Sequence, residues 1–234
     1  MWKKLGLVPL RLKKMSDEYP HKSPDEKNDS KRIVAAVTGP MAAGKNYACC
    51  LLEKMGFASI DADLLGHAAI ENKKDVILET FAPYADEKKI SLVNNDGTVN
   101  RRNLGKILFD SPALLEKQES IVFPEINRLI EKFIAENQDR NVIVNATVLY
   151  KMPLVKKMDF ILFIDCPEII RVFRAKKRDK MPLSQILSRF KSQKNLFAKY
   201  KFSNADTFRV WNTFSSKCLE KKLSAFLKKY KNGI

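Results

Sequence analysis

The sequence predicts an α/β fold built on a parallel sheet, and three observations carry that prediction. The run Ile33-Val34-Ala35-Ala36-Val37-Thr38 lacks polar alternation, as a strand buried on both faces requires. It stops at Gly39, and helical spacing at Tyr47, Leu51, Leu52 and Met55 follows, closed by Gly56 and a short strand from Phe57 to Ile60; together these make a βαβ unit. Two further buried-strand runs, Val142 to Val144 and Phe160 to Ile164, recur after helical stretches, the alternation typical of parallel sheets.

Met1 to Met15 is basic and apolar, but Pro9, Arg11 and Lys13 interrupt it, so it reads as a tail rather than a signal peptide. Ser16 to Lys31 is polar and rich in charge, and residues 1–31 are expected to be a disordered extension to a domain spanning 32–234. From about 64 to 138 apolar residues fall at helical intervals, broken at Asn94-Asn95-Asp96-Gly97 and Ser111-Pro112, which predicts a helical insertion. After Ile164 the chain is mostly basic helix, with a short extended piece from Phe208 to Val210. No apolar run approaches the roughly 20 residues of a membrane-spanning helix. The four cysteines lack the spaced pairs of a zinc site and read as reduced thiols.

The net charge of +16 is unevenly placed. Residues 171–234 hold 18 Lys/Arg against 3 Asp/Glu, whereas residues 33–170 hold 16 against 19. A basic segment of that kind suits a polyphosphate ligand, a nucleic acid or an acidic membrane, and the run Lys217 to Lys231 equally suits a solvated helix face.

Gly39-Pro40-Met41-Ala42-Ala43-Gly44-Lys45-Asn46 fits the phosphate-binding loop G-x-x-x-x-G-K, with Asn46 where Ser or Thr is usual. It lies between a buried strand and an amphipathic helix, so backbone N–H groups and the helix N-terminus converge on an anion. Gly39 and Gly44 let the backbone approach phosphate oxygens, and Lys45 sets a charge on the terminal phosphates. A hydroxyl after the lysine would ligate Mg²⁺; the amide oxygen of Asn46 is the bulkier substitute and the candidate metal ligand.

Asp61-Ala62-Asp63 puts carboxylates at the end of the second strand, the edge where open α/β sheets bind ligands. One of them can take the proton of an attacking hydroxyl during phosphoryl transfer; Asp63 also suits a helix N-cap. Arg174 and Arg178 share a helix face at i, i+4 spacing, and their guanidinium forks suit phosphate oxygens on a closing lid.

From about Arg32 to Asn212 the chain resembles the dephospho-coenzyme A kinase family, P-loop kinases of the nucleoside-monophosphate-kinase-like group. The similar pieces run in order: Val37-Thr38-Gly39 with Gly44-Lys45; Ile60-Asp61-Ala62-Asp63; Asp96-Gly97-Thr98-Val99-Asn100-Arg101 with Leu104 and Phe109; Pro124-Glu125-Ile126; Val148-Leu149; Ile164-Asp165; Arg174 to Asp179; Gln193; and Ala205-Asp206. The resemblance implies a P-loop kinase fold with a central five-stranded parallel sheet flanked by helices, a helical substrate insertion and a basic lid at about 171–200. It implies transfer of the ATP γ-phosphoryl group to the ribose 3′-hydroxyl of dephospho-CoA, with Mg²⁺, in the cytoplasm, and with neither a nucleic acid nor a membrane as partner. By the same resemblance Asp63 is the base, with Lys45 and Arg178 as the other catalytic groups. ATP is bound by Gly39, Ala42, Ala43, Gly44, Lys45, Asn46, Tyr47 and Arg174, and Arg101 lies on the substrate side with Asp63.

Several positions depart from the family pattern. Asn46-Tyr47 replaces Ser/Thr-Thr, Phe123 stands where His commonly precedes Pro124, and Asn145 to Lys151 departs from Asp-x-Pro-Leu-Leu-Phe-Glu. Arg209-Val210-Trp211-Asn212 matches the loop near adenine only loosely. These departures keep open a nucleotide-binding protein whose kinase activity is lost or redirected. Phe190, Phe197, Tyr200 and Phe202 among basic residues keep open an RNA-binding surface.

Overall fold

The computed structural model describes residues 7–9, 32–109, 111–179, 182–201, 205–213 and 216–233. The chain divides into two compact units, Met1–Ile60 with Asn137–Ile234, and Asp61–Glu136.

The first unit is built on the sheet. Its strands are β1 (Leu7–Pro9), β2 (Val34–Thr38), β3 (Phe57–Asp61, whose last residue begins the second unit), β4 (Asn141–Asn145), β5 (Ile161–Asp165) and β6 (Thr207–Trp211), in the order β1-β6-β5-β2-β4-β3. β2 pairs in parallel with β4 and β5, and β5 with β6. This is the five-stranded parallel sheet that the sequence implied, and β5 is buried at every position, as its unbroken apolar run requires.

A sixth strand lies within residues 1–31. Leu7–Pro9 pairs antiparallel with β6, Val8 lying opposite Arg209. Three residues are too few to show a period, and Pro9, which has no N–H, is tolerated because the strand is at the edge. Ser16 to Lys31 and Phe202 lie outside the described residues.

One face of the sheet packs on α1 (Lys45–Lys54) and α9 (Ser216–Lys231). Leu219, Leu223, Phe226 and Leu227 form the buried stripe of α9, at the i, i+4, i+7, i+8 spacing of an amphipathic helix. Phe226 meets Phe160 and Phe208 at ring-centroid distances of 5.0 and 4.9 Å. The lysine run 217–231 therefore belongs to a core helix whose other face is solvated. The crossover from β5 to β6 consists of α6 (Glu168–Asp179), α7 (Leu183–Ser192) and α8 (Leu196–Lys201).

The second unit is helical: α2 (Ala62–Asn72), α3 (Lys74–Glu87), α4 (Arg101–Phe109) and α5 (Pro112–Glu136). α5 starts where Ser111 caps and Pro112 occupies the first turn, the position at which a missing N–H costs nothing. Buried Ile77, Phe81, Leu104, Ile107 and Ile130 supply its core. Inside it the Glu125 carboxylate of α5 accepts from Asn72 Nδ2 at 2.7 Å and from Arg128 Nη2 at 2.7 Å, so a buried charge is fully bonded. No helix among the described residues is long and apolar enough to cross a membrane.

Candidate active site

The phosphate loop joins β2 to α1 along an unusual backbone path. Gly39 has φ 143°, Ala42 φ 62° and Gly44 φ 102°. A Cβ on Gly39 would overlap the Ile164 carbonyl oxygen of β5, and one on Gly44 would overlap the side-chain nitrogen of Asn212. Left-handed φ favours glycine at both positions, and at Gly39 the approach of fixed backbone requires it a second time. Lys45 Nζ donates to the Gly39 carbonyl at 2.9 Å, which folds the ammonium over the loop.

The loop is held from three sides. Asn212 Nδ2 donates to the Ala43 carbonyl at 2.8 Å, and Arg174 Nη1 donates to the same oxygen at 3.4 Å. Gln193 Oε1 accepts from the Met41 N–H at 2.7 Å. Thr38, the last residue of β2, donates through Oγ1 to the Tyr200 hydroxyl at 2.8 Å, and Tyr200 donates onward to the Thr147 carbonyl at 3.1 Å. Burial pushes the Tyr200 hydroxyl far above the usual phenol range, so it stays a neutral relay between β2 and the turn after β4.

A cavity of about 290 Å³ opens at the loop, lined by Ala42, Gly44, Lys45, Asn46 and Tyr47, with Arg174 and Arg178 from α6. Among the described residues three cations and no carboxylate line it, so its chemistry is that of an anion site. Of the residues expected to bind ATP, Gly39 and Ala43 form the loop behind that cavity. The i, i+4 pair on α6 falls on one face, as its spacing required.

Asp63 and Arg101 lie in the helical unit. Asp63 is exposed in the first turn of α2, and it is Asp61 that caps the helix, its Oδ1 accepting from the N–H groups of Asp63 at 2.9 Å and Leu64 at 3.3 Å. The N-cap expectation for Asp63 is therefore corrected: the helix starts at Ala62, two residues earlier. Arg101 opens α4 and lines a cavity of about 890 Å³ with Arg102, His67, Glu71 and Asn100, all within this unit.

Sequence reasoning missed the part that Asn212, Gln193 and Tyr200 play in holding the loop and the end of β2. Their partners lie 169, 152 and 162 positions away, so no local pattern marks them. The stretch Arg209 to Asn212, expected near adenine, divides in two. Arg209 is paired with Asp165 and sits 4.5 Å from the Phe197 ring centroid and 4.4 Å from that of Trp211, while Asn212 holds the loop. Phe190 and Tyr200 are buried in packing rather than offered to bases.

A profile of the family described as dephospho-CoA kinase matches residues 33–209. The chain belongs to the dephospho-CoA kinase family. A dephospho-CoA kinase from Treponema denticola is 37% identical over 204 residues, covering 86% of this chain and 91% of that protein. One from Treponema pallidum is 34% identical, covering 82% and 92%. A solved Thermus thermophilus protein superposes with a TM-score of 0.70 at 26% identity, over 85% of this chain and 97% of that one. A dephospho-CoA kinase from Campylobacter jejuni shares the fold, with a TM-score of 0.57 at 22% identity over 86% and 99%.

Kinases of this family take ATP as co-substrate. The donors at position 46 do not fit a protein-held Mg²⁺. The hydroxyl is replaced by an amide whose Oδ1 already accepts from Asn145 Nδ2 at 3.1 Å. Among the described residues no group of three or more His, Cys, Asp or Glu is arranged to hold a metal ion.

Proposed function

We propose that this dephospho-CoA kinase transfers the γ-phosphoryl group of ATP to the ribose 3′-hydroxyl of dephospho-CoA, the last step of coenzyme A biosynthesis. The observation that carries the assignment of roles is the phosphate-loop cavity with Lys45, Arg174 and Arg178 on its walls. In-line phosphoryl transfer needs positioning and charge compensation more than covalent help, and these three cations supply compensation as charge spreads over the equatorial oxygens. α6 and α7, the basic stretch at about 171–200, act as the lid that brings Arg178 onto the nucleotide.

Asp63 accepts the proton of the attacking 3′-hydroxyl. With capping left to Asp61, its place in the first turn of α2 serves the acceptor. The helical unit receives dephospho-CoA, and Arg101 and Arg102 in its cavity offer positive charge to the acceptor's diphosphate. ATP and dephospho-CoA are its partners, with neither a nucleic acid nor a membrane, and the cytoplasm is its place of work.

The test is to incubate the protein with Mg·ATP and dephospho-CoA and follow CoA by mass spectrometry. Asp63→Asn should lower turnover by about 10²–10⁴-fold, the range of a positioned general base, with ATP binding kept. Lys45→Ala should lose both binding and turnover. ATP binding without product, in the wild-type protein and with other hydroxyl acceptors, would instead favour a nucleotide-binding protein without turnover, the second reading that Asn46 and Asn145 motivate.

A further inference from the structure

Asn145 is 4% exposed at the C-terminal end of β4, in register with Val37 of β2, so the sheet fixes its amide beside the phosphate loop. From there its Nδ2 donates to Asn46 Oδ1 in the first turn of α1. A side-chain amide offers one carbonyl oxygen and two N–H groups. Bonding to Asn145 engages one of the two lone pairs of that oxygen and fixes the amide's orientation, and the Nδ2 hydrogens are the donors Asn46 offers. The surroundings select the same polarity. A hard divalent cation seeks oxygen ligands, most of them anionic or water, whereas among the described residues the cavity is lined by Lys45, Arg174 and Arg178 and by no carboxylate. That field repels a cation held by protein and attracts polyphosphate oxygens, which accept from N–H.

We propose that Asn46 is a phosphate-binding donor and not a metal ligand. Its Nδ2 donates to a non-bridging oxygen of the nucleotide's polyphosphate, Asn145 holds the amide in that orientation, and the divalent cation accompanying ATP is coordinated without position 46. This rests on the P-loop kinase reading and names the atom by which one residue of that site acts.

The experiment measures two affinities on the full chain: ATP in the presence of EDTA, by isothermal titration calorimetry, and Mn²⁺ on the preformed protein–ATP complex, by electron paramagnetic resonance. Asn46→Ala should weaken metal-free ATP by about tenfold, the scale of one hydrogen bond to a charged group, and leave Mn²⁺ affinity of the complex within about twofold. Asn145→Leu should weaken metal-free ATP by about threefold through loss of orientation, a change that thermal melting distinguishes from unfolding. If Asn46→Ala leaves metal-free ATP unchanged, or lowers Mn²⁺ affinity of the complex severalfold, the proposal is overturned. Lys45→Ala separates the two levels: if it does not weaken ATP, the phosphate-loop reading falls and the role of Asn46 with it; if it does while Asn46→Ala has no effect, only the role of Asn46 falls.

Discussion

A methyl group added at Gly44 would have to share space with the Asn212 amide nitrogen, on a backbone at φ 102°. Gly44→Ala is therefore expected to weaken ATP at least about tenfold while the sheet still folds, because the flexible side chain of Asn212 can move and in doing so releases the Ala43 carbonyl. Calorimetric ATP titration and circular dichroism check both halves, and unchanged affinity would show that the loop tolerates the loss. Gly39→Ala is a different case, since its obstacle is the Ile164 backbone oxygen, which cannot swing away. Asn212→Ala should cost about 1–3 kcal/mol of stability, measured by urea unfolding, as the Ala43 carbonyl loses its best donor. Residue-level legibility followed distance along the chain. Gly39, Gly44, Lys45 and the Arg174–Arg178 pair announce themselves within eight positions or by helical spacing, whereas Asn212, Gln193 and Tyr200 acquire meaning only when the end of β6, the end of α7 and α8 are brought to β2 and the loop after it.

Among the elements, α5 carries the clearest pH signature. Hydrogen bonds from Arg128 and then Asn72 hold the Glu125 carboxyl well below the usual range near 4.5, at about 2. A carboxyl depressed in the folded state stabilises it in full above its unfolded pKa, and that contribution drains away as pH falls toward the folded value. The helical unit should thus lose stability between about pH 4.5 and 2, and Glu125→Gln should flatten that acid limb while lowering stability at neutral pH. Thermal melts across pH decide it: an unchanged slope in the variant would remove Glu125 as the cause. The strands were readable because each is a continuous apolar run, and β2, β4 and β5 begin and end within one or two residues of those runs. The start of α2 was misread by two residues, since Asp61 and Asp63 are equally good caps by type and only the hydrogen bonds to Asp61 distinguish them.

For the molecule as a whole, the edge of the sheet was the part the sequence concealed. β1 covers the free side of β6, and deleting residues 1–9 should leave an unpaired parallel-sheet edge that self-associates at micromolar concentration. Light scattering after gel filtration checks this; a monomer unchanged by the deletion would show that β6 is protected otherwise. The strong C-terminal charge imbalance proved compatible with an ordinary core, because α9 buries one apolar stripe and turns its lysines outward. Phe226→Ala should then cost about 3–5 kcal/mol in denaturant unfolding, since three aromatic neighbours lose their contact with it.

The Ala43 carbonyl, shared by Asn212 and Arg174, has a consequence for the lifetime of the folded chain. Through it the loop is fastened to the residue that follows the last strand and to the middle of α6, so a ligand that immobilises the loop also resists opening of segments far away in sequence. At a nucleotide concentration a hundredfold above Kd that resistance amounts to about 2.7 kcal/mol, roughly a hundredfold fewer open molecules for a protease to find. The enzyme's persistence in a cell would then track the supply of the nucleotide it consumes, and starvation for ATP would shorten its life as well as slow its turnover.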